Sequence, residues 1–139
     1  RPLEGILKLN IDGSYEPKTN SGGTGGVIRH HQGCWIMGFA CKVRAQNVLH
    51  AQLVALLHGL NLAKEKKQLL VETDSQVLFN SFKGKYLIYS YIYADCRSLI
   101  QQMEEASLQH IRREANSVVD LLADYERTTK DPNMTINQL

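Results

Sequence analysis

Over residues 6–12 apolar and polar positions alternate, with Leu7, Leu9 and Ile11 on one face and Lys8, Asn10 and Asp12 on the other. A period of two marks a half-buried strand and predicts that Asp12 ends it on the polar face. Turn formers crowd Gly13, Ser14 and residues 16–26. Beyond them Val27 and Ile28, then residues 34–43, predict two more strands hinged near His31, Gln32 and Gly33, which makes a three-stranded antiparallel meander. The period turns helical at Leu49, Leu53, Leu56, Leu57, Leu60 and Ala63, and the cations Lys64, Lys66 and Lys67 suit the C-terminus of that helix. Leu69, Leu70 and Val71 predict a short strand running into Glu72, Thr73 and Asp74, after which Ser75 can open a helix over residues 76–82. Residues 86–93 are tyrosine-rich and ambiguous, whereas residues 94–105, with Cys96, Leu99, Ile100 and Met103, predict another amphipathic helix. A fifth strand follows over 108–112. Asn116 or Ser117 then caps a last helix carrying Val118, Leu122 and Tyr125, before a polar tail from about 127 to 139.

This order implies an α/β fold with a mixed five-stranded sheet, three antiparallel strands and then two helix-connected ones, flanked by helices. With 139 residues, 43% hydrophobic and 22% charged, the chain suits one globular domain over residues 1–139 and argues against disorder. Cys34, Cys41 and Cys96 are odd in number and form no CxxC pair, which favours free thiols and an intracellular, nuclear or cytoplasmic setting; no signal-peptide pattern is seen. The uncharged stretch 45–63 contains Gln46, Asn47, His50, Gln52, His58 and Asn61, so it reads as a soluble helix and no membrane partner is expected. A formal charge of +2 does not by itself announce a polyanion partner. Nucleic-acid binding has to be argued from a site.

Asp12 and Asp74 stand at predicted strand ends, where α/β sheets place ligands, and Asp120 falls in the first turn of the last helix. Taken singly, each is a turn or cap residue. Taken together, converging carboxylates without basic partners repel one another unless a divalent cation such as Mg²⁺ or Mn²⁺ neutralises them. The wording around them resembles the ribonuclease H family in order and spacing. "LKLNIDGS" at 7–14, "GGTGGVIR" at 22–29, "VETDSQ" at 71–76 and "HIRREANSVVDLLA" at 110–123 are similar to its first strand, its glycine-rich hairpin, its fourth strand and its last strand and helix. The wording is closest to the plant, retroelement-derived branch, which lacks a basic helical handle.

The resemblance implies two-metal hydrolysis of the RNA strand of an RNA/DNA hybrid, with Asp12, Asp74 and Asp120 as metal-binding carboxylates and Asp12 bridging two ions. The family's fourth ligand is a glutamate, and Gln52 stands in its place. An amide can still ligate a hard cation and can meet a ribose 2′-hydroxyl, but it brings no charge and one ligating oxygen, so cleavage is expected to suffer more than binding. His110 matches a histidine that shuttles a proton or helps product leave, and Asn116 lies between it and Asp120. For substrate, backbone N–H groups of Gly13, Ser14, Gly22, Gly23 and Gly25 can approach phosphate, Arg29 or Lys42 can add charge, and Ser75, Gln76 and Asn80 open a helix N-terminus. The tyrosines are expected to pack rather than stack on bases, and His58 to lie on a helix surface. Two functions remain in view: a hybrid-cleaving enzyme weakened by Gln52, and a non-catalytic module with a nucleic-acid partner or, within a larger chain, a protein partner.

Overall fold

The alternating segment at the start of the chain forms β1 (Leu7–Glu16) in a computed structural model that describes residues 6–30, 35–66, 68–84, 88–112 and 133–137. After it come β2 (Ser21–Arg29), β3 (Trp35–Arg44), α1 (Val48–Ala63), β4 (Gln68–Thr73), α2 (Gln76–Ser81), α3 (Ser90–Gln101), β5 (Glu105–His110) and β6 (Asn133–Asn137). The sheet order is β5-β4-β1-β2-β3-β6. β1, β2 and β3 pair antiparallel, while β4 pairs parallel with both β1 and β5. The expected mixed five-stranded sheet is therefore present, and β6 adds a sixth strand antiparallel to the outer side of β3.

Several boundaries differ from the expected ones. β1 does not end at Asp12: Gly13, Ser14, Tyr15 and Glu16 continue in unbroken register against Thr24, Gly23, Gly22 and Ser21. The glycines read as turn formers are thus ladder residues, and a packing reason is visible at Gly26, where an added Cβ would lie 2.0 Å from Phe39 Cε1. The turn itself is confined to residues 17–20 and closes on Asn20 in the left-handed region, φ 51°. α3 begins at Ser90 rather than 94 and takes in Ile92 and Tyr93, both buried, with the Tyr93 ring edge-on to Phe82 at 4.9 Å. β5 occupies Glu105–His110 rather than 108–112, and the segment read as a polar tail contains β6. The hinge at His31, Gln32 and Gly33, Cys34, Tyr86 and the last helix with Asn116, Ser117 and Asp120 lie outside the described residues.

α1 covers the odd-numbered face of β1. An added Cβ on Gly59 would sit 2.7 Å from Leu9 Cδ2, and Leu9, Ile11, Leu53, Leu56 and Leu60 are buried together in one core. Each such side chain contributes roughly 1.5–3 kcal/mol by leaving water. His58 is half-buried rather than on the surface, with Nδ1 3.1 Å from Thr24 Oγ1 and its ring edge-on to Phe39. Among the described residues Cys41 and Cys96 form no disulfide, and burial pushes the pKa of the Cys96 thiol up to about 12. Among the described residues no helix is long and apolar enough to cross a membrane.

α1 approaches the β1 backbone closely at Gly13, where a Cβ would lie 2.5 Å from the backbone carbon and oxygen of Ala51. Backbone cannot swing aside as a side-chain tip can, so Gly13→Ala must push α1 off β1. The expected loss is about 1–3 kcal/mol in urea unfolding, as for other overpacked sites.

Candidate functional site

Asp12 and Asp74 come together through strand register. Ile11 pairs with Thr73 across the parallel β1–β4 ladder, so the next residue on each strand is an aspartate. Thr73 in turn pairs with His110 of β5, and Ile111 N–H donates to the Thr73 carbonyl at 2.8 Å, which extends that ladder one step. His110 Nε2 lies 3.3 Å from the backbone oxygen of Asp74, and its exposed ring leans on Phe79. Asp12, Asp74 and His110 therefore share one end of the sheet. Asp120, the third predicted carboxylate, lies outside the described residues.

Gln52 reaches this centre from the second turn of α1. Its Nε2 donates to Asp12 Oδ1 at 3.0 Å and to the Gly13 carbonyl at 2.9 Å. Both side chains are almost wholly enclosed, Asp12 at 4% and Gln52 at 5% exposure. The orientation of the amide follows from its partners: two acceptors face the nitrogen, and a flipped amide would set its oxygen against both. Gln52 Oε1 is left buried with no hydrogen-bond partner. A cation at Asp12 Oδ1 would meet an N–H donor already bonded to that oxygen, and among the described residues no three His, Cys, Asp or Glu side chains converge closely enough to hold an ion. The described part of the donor set, with an amide N–H aimed at Asp12, does not by itself fit a two-ion centre.

Behind the acids, on the even-numbered face of the sheet, runs a polar row. Arg29 Nη2 donates to Asn10 Oδ1 at 2.6 Å, Asn10 Nδ2 donates to Glu72 Oε1 at 2.9 Å, and Lys8 Nζ stands 3.6 Å from Glu72 Oε2. Arg29, expected to face phosphate, is thus engaged within the sheet. Ser75 is a helix cap, its Oγ accepting from Leu78 N–H at 3.1 Å, while Gln76 and Asn80 bond each other along the exposed side of α2. Gly13 and Gly23 are buried in the ladder, Gly13 opposite Thr24 and Gly23 opposite Ser14.

A cleft of about 810 Å³ opens where the turn after β1, the end of β3 and the start of α1 meet; Thr19, Asn20, Ser21, Lys42, Arg44, Gln46 and His50 line it. Of these residues, the sequence pattern marks only Lys42 as a ligand contact. The available signal was the spacing of Lys42 and Arg44, two apart on one strand face. The cleft wall is braced by Tyr89, which holds the left-handed conformation at φ 65°. Its hydroxyl accepts from Asn47 Nδ2 and donates to Gln46 Oε1, and its ring stacks on His50 at 4.6 Å. Asn47 also caps α1, accepting from His50 N–H at 2.8 Å. Tyr89 and Tyr93 are packed, whereas Tyr91 is exposed.

The sequence profile of a family described as "Reverse transcriptase-like" matches residues 10–126. A curated Arabidopsis thaliana protein, described as a candidate ribonuclease H protein, is 30% identical over 129 residues; the match covers 89% of this chain and 21% of that protein, so the chain spans about a fifth of its relative. Among solved structures, the N-terminal ribonuclease H domain of a Mycobacterium tuberculosis protein superposes with a TM-score of 0.80 at 20% identity, over 89% of this chain and 94% of that one. The ribonuclease H1 of Halobacterium salinarum gives 0.78 at 19% identity, over 88% and 97%. A compost metagenomic ribonuclease H1, solved in complex with RNA/DNA hybrid, gives 0.76 at 18% identity, over 87% and 96%.

Burial lowers the pKa of both His50 and His58 from the usual 6.5. Gln46 N–H also donates to His50 Nδ1 at 3.1 Å, a bond that needs that nitrogen unprotonated. As pH falls below about 6.5 the unfolded chain takes up protons first, so stability is present above that pH and is lost as pH falls through the lowered folded values. The denaturation midpoint is expected to drop between about pH 7.5 and about pH 5.5, and to drop less in His58→Gln, whose amide does not titrate there. Equal drops in the two proteins would remove His58 from the account.

Proposed function

Because the chain belongs to the reverse transcriptase-like family of ribonuclease H-fold domains, we propose that it binds RNA/DNA hybrid and cleaves it slowly or not at all. The observation that carries this reading is the pair of roles split across one amide. The nitrogen of Gln52 is spent on Asp12 and Gly13, while its buried oxygen has no hydrogen-bond partner. A buried acceptor without a donor costs about 1–3 kcal/mol. A hydroxyl donor brought by a ligand relieves that cost once the site opens to admit it, and a ribose 2′-hydroxyl is such a donor, present in RNA and absent from DNA. The cleft bearing Lys42 and Arg44 supplies cations and neutral donors for neighbouring backbone phosphates. That a fold relative was crystallised on a hybrid supports the substrate class.

Hydrolysis is the weaker half of the assignment because the side chain in the family glutamate's place faces Asp12 as a hydrogen-bond donor. The same bond favours a second reading, a domain kept for binding alone, whose partner binds equally well in chelator.

Two measurements follow. With a few scattered cations making about three to five phosphate contacts, titration of a fluorescent hybrid in EDTA should give log K falling against log salt with a slope of roughly −3 to −4. A salt-independent affinity, or equal affinity for an unrelated polyanion, would overturn hybrid recognition. In Mg²⁺, cleavage by the chain should be slow or absent, and Gln52→Glu should raise it about tenfold or more, which is only about 1.4 kcal/mol of barrier. Equal rates would clear Gln52 of the loss.

A further inference from the structure

We propose that the Gln52 carboxamide takes the place of a divalent cation at Asp12, so that the Asp12 carboxylate is held without metal and the chain binds Mg²⁺ or Mn²⁺ weakly. The inference concerns the ion and stands whether or not the chain binds hybrid. Its basis is the set of acceptors around position 52. Asp12 Oδ1 and the Gly13 carbonyl lie 3.0 and 2.9 Å from Gln52 Nε2, inside a region where both side chains are more than nine-tenths enclosed. A glutamate at position 52 would bring a third acceptor to two others with no proton among them, and like charges buried together need a cation or a proton to be stable. The amide answers the same demand differently. It supplies two hydrogens at the two acceptors, and bonds from N–H to a carboxylate are about twice as strong as neutral ones.

An ion has little room to improve on this arrangement. To ligate Asp12 Oδ1 it must share that oxygen with a buried N–H donor whose hydrogen repels it. To use Gln52 as a ligand it must turn the amide over, which leaves the Gly13 carbonyl without the donor it has. Glu72, a carboxylate on the same strand face as Asp74, does not compensate: Asn10 and Lys8 hold its two oxygens. Gly13 matters as well, because an added Cβ there would lie 2.8 Å from Gln52 N, so the backbone approach that seats the amide depends on glycine.

The test uses the whole chain without nucleic acid. Free Mn²⁺ counted by electron paramagnetic resonance should show wild-type binding at least about tenfold weaker than that of Gln52→Glu, since Ca²⁺- and Mg²⁺-type sites gain affinity with each added carboxylate. The wild-type melting temperature should be the same in EDTA and in Mn²⁺, while Gln52→Glu melts lower in EDTA and recovers in Mn²⁺. If Gln52→Glu does not fold in chelator, Gln52→Ala serves instead. It removes both donors without adding an acceptor, and should melt below wild type in EDTA and regain part of the loss in Mn²⁺. Wild-type binding of Mn²⁺ as tight as the glutamate variant's, or a Gln52→Ala protein that melts as wild type in EDTA, would overturn the proposal. Loss of hybrid binding with these results intact would count against the proposed function and leave the inference standing.

Discussion

The approach of β1 to the second turn of α1 at Gly13 governs what the acidic end of the sheet can be. A Cβ at that position would lie 2.5 Å from the Ala51 backbone, so only glycine lets strand and helix meet there. The closeness brings the Gln52 side chain to both the Gly13 carbonyl and Asp12 Oδ1. A helix set further out would leave the Asp12 carboxylate buried with one donor fewer. Charge-assisted bonds of this kind contribute about 1.5–3 kcal/mol. Local backbone geometry, helix position and the electrostatics of the site are thus one constraint.

The rest of the sheet serves the same end. Parallel pairing of β1, β4 and β5 lines up Ile11, Thr73 and His110, and the residues that follow the first two are the aspartates. Further back along the strands the row Arg29–Asn10–Glu72–Lys8 places one anion between two cations, so the Glu72 charge is already compensated. That pairing keeps the Glu72 carboxylate occupied although it shares a strand face with Asp74. At the other side of α1, the Tyr89 hydroxyl between Asn47 and Gln46 fixes the start of the helix and one wall of the cationic cleft.

Much of this was legible in the sequence, and the failures have physical causes. Alternation found β1, and helical spacing found α1, because both elements bury one face and expose another. The positions Asp12, Gln52, Asp74 and His110 were named from strand ends and from a family resemblance, and register brings Asp12, Asp74 and His110 to one sheet end. Gly22, Gly23, Gly25 and Gly26 misled, since a propensity for turns says nothing about a strand that at Gly26 must pack against Phe39 without a side chain of its own. The start of α3 was set late because tyrosines at 89 and 93 read as ambiguous, while tertiary packing on Phe82 and His50 decides their state. The direction of the Gln52 amide could not be read at all: a sequence shows that charge is lost at position 52, and only the two facing acceptors show that a hydrogen-bond donor has replaced it.

The most direct measurement is a crystal of the chain grown with MnCl₂ and examined by anomalous diffraction at the manganese edge. The account predicts no anomalous peak within ligating distance of Asp12 and a Gln52 amide nitrogen still bonded to Asp12 and to the Gly13 carbonyl. A manganese ion ligated by the Asp12 carboxylate, with the Gln52 amide turned to offer its oxygen, would contradict it.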